Sequence, residues 1–184
     1  MAKSKSVKLG RKTVDKILTG FGVIATITLL AIGGLAWWAY SFTTTQVHDE
    51  LASQQIFFPP KGSPALASND IGPYLNQYAG QQLLDGNQAH AYANHFIAVH
   101  LSEIAGGQTY AQVSSKAMAN PTDAKLQGQV ATLFKGETLR GMLLNAYAFW
   151  TIGMIAQIAA FVAFAAAAVM AVLTLLGFWH LTKL

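Results

Sequence analysis

No cysteine occurs in the 184 residues, which excludes disulfides, iron–sulfur clusters, thiolate zinc sites and a cysteine-linked lipid anchor. Charge is scarce as well: 11% of the side chains are charged, under half the share of about 25% usual in soluble domains. Apolar residues reach 53%, so the deficit points to lipid as a solvent rather than to an enlarged core. The net charge of +4 has the sign of a nucleic-acid binder, but its distribution does not fit one. Six of the twelve Lys/Arg (Lys3, Lys5, Lys8, Arg11, Lys12, Lys16) fall in the first 16 residues, opposed only by Asp15. Residues 43–140 carry five basic and seven acidic groups. A basic tail before an apolar run is a topology signal, and no nucleic-acid partner is expected.

What fills the chain instead is two long uncharged runs. The first, "ILTGFGVIATITLLAIGGLAWWAYSF", covers 17–42. About 20 apolar residues cross a bilayer as a helix, because hydrocarbon offers no water to unpaired backbone groups. A cleaved signal peptide would have an apolar region of only about 7–15 residues and small residues at the cut. Here the run is longer, and Trp37, Trp38 and Tyr40 stand where that cut would lie. The reading is an uncleaved signal anchor, with residues 1–16 a cytoplasmic tail and the aromatic cluster at the outer interface.

The second run, between Arg140 and Lys183, has 42 residues without a charge. As a helix it would be ~63 Å long, against a bilayer core of ~30 Å. Trp179, His180 and Lys183 mark its cytoplasmic end, so span two is expected over 141–180, with 153–178 embedded and 181–184 inside. The surplus "GMLLNAYAFWTI" then protrudes outward, and an apolar helix outside lipid must be covered by its own domain or by a partner. Ala156, Ala160, Ala163, Ala167 and Ala171 form a small-residue stripe on this span, with Gln157 as interhelical glue. Gly33, Gly34 and Ala25 are the counterparts on span one. Neither membrane core holds an Asp, Glu, Lys or Arg, which argues against a proton relay, an ion path or a voltage sensor.

Residues 43–140 form the expected extracytoplasmic domain, and the fold class is an all-α membrane protein with that domain inserted between two spans. "TTTQVHDELASQQI" extends the first helix outward, and Pro59, Pro60 and Pro64 stop it. Phe57 and Phe58 lie in this extended strap, packed on helices or at a lipid or partner surface. A short helix follows from Pro73. Residues 86–105 form the next helix, closed by Gly106–Gly107. "TYAQVSSKAMA" gives a further helix, and Thr122–Asp123 caps one that runs unbroken into span two.

His90, His95 and His100 sit five residues apart on the 86–105 helix. At ~3.6 residues per turn each is rotated ~140° from the last, so the three cannot converge on one ion. The wheel puts His100 amid Tyr92, Phe96, Ile97 and Leu101 in the buried half, His90 at its edge, and His95 on the solvated side. His100 and Glu103 have ligand spacing but are only two, with His48 a third from the extension of span one. The expectation is no metal and no cofactor, the weak metal candidates being His48, His90, His100 and Glu103. His180 has no histidine counterpart in the other span for a haem. No nucleophile elbow and no phosphate loop occur. Glu137 and Arg140 make a surface ion pair or meet a lipid headgroup or partner, near Tyr147 and Trp150 on the same protruding helix.

Three stretches, "QQIFFPPKGSPAL", "YANHFIAVHLSEIAGGQTY" and "LFKGETLRGMLLNAYAFWTIG", together resemble an uncharacterised family of two-span membrane proteins from actinobacteria, over residues 43–180. The resemblance implies a small envelope protein and brings no catalytic or binding residues with it. A looser likeness in size and topology links the chain to accessory subunits of large actinobacterial respiratory assemblies. The leading expectation is therefore a non-enzymatic plasma-membrane protein with both termini cytoplasmic. It would be a structural or accessory component whose partners are lipid and other membrane proteins or further copies of itself. An extracytoplasmic sensing domain signalling through a partner is the alternative, and a metal-dependent enzyme the third.

Overall fold

The computed structural model describes residues 10–183; residues 1–9 of the basic tail and Leu184 lie outside them. Among the described residues every regular element is helical, and the one extended pairing is an isolated antiparallel bridge between Phe57 and Gln82. Helix α1 (Arg11–Gln54) has 44 residues and helix α6 (Ala124–Leu181) has 58, and both are long and apolar enough to cross a membrane. The start of α6 is set by Asp123, whose carboxylate accepts the Lys125 and Leu126 N–H groups at 2.9 and 3.0 Å. Those N–H groups have no partner within the helix, so the cap defines where it begins.

The chain divides into two compact units, one made of its two ends (to Tyr40 and from Ile155) and one of Ser41–Met154. The inserted unit takes in the α6 residues 141–154 as well as the segment before Arg140. Its strap is pinned by backbone bonds from Phe58 N to Gln81 O and from Leu83 N to Ile56 O, each 2.9 Å. Short helical turns follow at Gly72–Leu75 (α2) and Asn76–Tyr78. Asp85 and Gln88 form a reciprocal capping box that opens helix α3 (Gly86–Ala91). The helix continues through a π-helical turn, Tyr92–Ile97, into α4 (Ala98–Ala105), and ends where Gly106 turns left-handed at φ 57°. Thr109 and Gln112 box the start of α5 (Tyr110–Ala119) in the same way.

Large apolar side chains fill this unit. Phe58, Leu75, Leu83 and Leu133 are fully buried, joined by Val47 and Leu51 from α1 and Leu143 from α6. Each such side chain contributes about 1.5–3 kcal/mol by leaving water. Phe58 therefore belongs to the core, edge-on to Tyr92 at 5.3 Å, and is not available to lipid or a partner. Its neighbour Phe57 is the exposed one.

The two-helix unit packs by different means. Ala160, Ala163, Ala167, Thr19 and Thr174 are buried, while Leu18, Phe21, Ile24, Ile158, Val162 and Leu175 face outward. Backbone meets side chain directly: a methyl on Gly22 would collide with Thr174, one on Gly177 with Thr19, and one on Gly33 with the Phe164 ring. Gly34, expected at the same face, has open space around it.

Candidate functional site

The histidine helix differs from a regular wheel because of its π turn. The Ala98 N–H bonds to the Ala93 carbonyl five residues back, so residues there advance by less than the α-helical angle. His100 is consequently half-buried rather than central, and its Nδ1 donates to the Phe96 carbonyl at 2.7 Å. His95 is not simply solvated: its ring stacks on Tyr74 with centroids 3.5 Å apart and planes 6° from parallel. Desolvation, and secondarily the nearby His90, hold the His95 imidazole below its ordinary pKa. His90 leans on Tyr147 at 4.4 Å between centroids. Tyr74, Asn87, His90, His95 and Tyr147 line an open cavity of about 430 Å³.

His48 stays on the exposed face of α1 beside Asp49 at 3.1 Å, and Glu103 is exposed on α4. Among the described residues no three His, Asp or Glu side chains come together to hold a metal ion. The proposed ligands are thus apart, and the two histidines that do share a cavity, His90 and His95, are a pair the wheel kept separate.

Arg140 makes the expected ion pair with Glu137 at 3.3 Å. It also donates to Asn94 Oδ1 at 3.0 Å, a bond that crosses from α6 to the π turn and that no sequence spacing announced. Its Nε is buried without a partner. Tyr147 and Trp150, expected at a partner or lipid contact, are half-buried within the unit: Tyr147 packs against His90, and Trp150 lies over Gly86, where any Cβ would strike it.

Part of α6 in this unit remains uncovered. Phe134, Leu139, Met142, Phe149 and Ile152 are all exposed, and at helical spacing they share one side. Three of them, Leu139, Met142 and Phe149, form with Leu143 and Ala146 one wall of an open crevice of about 340 Å³, whose other wall is Phe42, Val47, Leu51 and Ile56. Its polar lining is confined to Thr43, Gln46, Glu50 and Gln54 along α1.

In the two-helix unit the stripe of Ala160, Ala163 and Ala167 is buried, with Ala156, Gln157 and Ala171 partly so. Sequence reading missed the reciprocal Thr–Gly contacts. Thr19 with Gly22 and Thr174 with Gly177 repeat one spacing, and each threonine meets the other helix's glycine. Thr19 donates to the Asp15 carbonyl at 2.8 Å, whereas the Thr174 hydroxyl is buried without a partner. No family model, no curated protein and no solved structure matches this chain.

Proposed function

We propose that this chain is a non-enzymatic integral membrane protein of the plasma membrane, a structural or accessory component of a larger envelope or respiratory complex. Both termini lie in the cytoplasm in this reading, and residues of about 43–140 stand outside. Two helices long and apolar enough to span support the membrane location, and the basic residues before span one support the orientation. The observation that carries the role is the exposed apolar side of α6 within the inserted unit, from Phe134 to Ile152. A domain that buries Phe58, Leu75 and Leu83 completely has a functioning core, so large side chains left outside it belong to a contact. A photo-crosslinker placed at Phe134 or Ile152 in native membranes should yield a discrete adduct with another membrane protein or with a second copy. Uncrosslinked monomer at both positions would defeat the proposal.

A second reading is favoured by the cavity between Tyr74, Tyr78, His90, His95 and Tyr147, where two imidazoles and three phenols face one space. There the inserted unit would be a sensing domain for a small ligand, passing its state to a partner. A shift of the His90 and His95 resonances on adding membrane extract, absent in a Tyr74→Leu variant, would favour it.

A further inference from the structure

We infer that His90 and His95 clip a single late first-row divalent metal ion, Cu2+ or Zn2+, in the cavity they share. This deepens the sensing reading above and rests on that cavity being a ligand site. A spacing of five is wrong for chelation on an α-helix, where it turns one ring ~140° from the other. The π turn changes that arithmetic. The Ala98 N–H reaches back five residues to Ala93, and in such a turn residues five apart stand in line as residues four apart do in an α-helix. His90 lies at the end of α3, just before the turn, and His95 lies within it. Both line one cavity with Tyr147. The pair is therefore the π-helical equivalent of the two histidines, four apart, that hold zinc on a regular helix face.

The rings are held without spending their nitrogens. His95 lies flat on Tyr74, and His90 leans on the Tyr147 ring. Among the described residues no hydrogen bond takes up a ring nitrogen of either. By contrast, Nδ1 of His100 bonds to the Phe96 carbonyl and that of His48 meets Asp49. A neutral imidazole presents an in-plane lone pair, the donor that suits zinc, copper and nickel. Asn87 stands about one turn before His90 in α3 and lines the same cavity. Its amide oxygen, the Tyr147 phenol and water are the candidates for the remaining coordination positions. No carboxylate lines the cavity, which leaves Mg2+ and Ca2+ without their usual ligands, and no Lys or Arg lines it to repel a cation.

The test uses the full, tag-free chain in nanodiscs, with Cu2+ as the probe. One equivalent should bind, and its electron paramagnetic resonance spectrum should carry nitrogen coupling from two imidazoles. His90→Gln and His95→Gln should each weaken binding about a hundredfold, the scale of losing a second point of attachment, and leave one coupled nitrogen. His48→Gln and His100→Gln should change neither affinity nor coupling. Zn2+ added to the unmutated protein should slow hydrogen exchange along α3 and the π turn and not in α5, a readout that needs no variant. The inference falls if Cu2+ binding survives both single variants, if only one nitrogen couples, or if Zn2+ leaves exchange unchanged. Membrane extract that shifts the His90 and His95 resonances equally with and without EDTA would remove the metal and leave the sensing reading standing. Extract without effect, on a chain that binds Cu2+ as described, would remove the sensing role and keep the metal site.

Discussion

Residues 41–154 hide phenylalanine and leucine, whereas the two-helix unit hides alanine, glycine and threonine and turns its leucines, isoleucines and phenylalanines outward. Two packing modes thus stand in one chain, and under the membrane location proposed above they answer to two solvents. Where water surrounds the fold, removing large apolar surface is the main driving force. Where lipid surrounds two helices, that force vanishes between them, and close approach through small residues takes over. The contrast supports the membrane reading better than hydropathy alone, because long apolar helices can also occupy a soluble core.

Four changes would break or sharpen this contrast. The largest effect is expected from Leu83→Ala or Leu133→Ala, each removing a fully buried side chain at a cost of about 2–5 kcal/mol. Thermal unfolding in nanodiscs, followed by protease protection of residues 41–154, reads it. Next comes Gly33→Leu, which drives a side chain into Phe164. Overpacking of this kind costs about 1–3 kcal/mol, and it should loosen the two-helix unit while protection of 41–154 stays intact. If Gly33→Leu instead exposes the inserted unit as much as Leu83→Ala does, the two packing modes are not separable.

Arg140→Met should cost less, about 1–2 kcal/mol, because it removes one charge-assisted hydrogen bond to Asn94 and leaves that amide unpaired. Hydrogen exchange localised to the π turn would register the loss. The smallest effect is a pH dependence. The folded state lowers the His95 pKa, so it favours the neutral ring. That stability is complete above the ordinary histidine value of about 6.5 and is lost as pH falls through the lower folded value. His95→Gln should flatten the fall in unfolding temperature between pH 7 and pH 5, measured at constant salt. An equal slope in both proteins would remove His95 as its source.

How far the sequence could be read depended on the kind of interaction involved. Asp85, Thr109 and Asp123 set helix starts through bonds spanning two or three residues, and Gly106 set a stop. Such local signals are visible in one dimension. The π turn is local too but has no compositional mark, and a wheel drawn at a constant angle misplaced His95 within it and His100 beyond it. Phe57 and Phe58 were treated alike, although consecutive residues in an extended segment point to opposite sides. One inward and one outward was the reading that spacing allowed. The Asn94–Arg140 bond joins positions 46 apart, and the Thr–Gly contacts join the two ends of the chain. Neither is announced by any neighbouring residue.

Those reciprocal Thr–Gly contacts act as a detent. With a threonine seated against the opposite backbone at two successive points, one rod cannot glide along the other by small amounts without forcing a hydroxyl into peptide. Motion between the spans, if a partner drives it, has to go in whole helical turns or by parting the pair. If the two helices cross a bilayer as proposed, a message carried through them would be of the all-or-nothing kind.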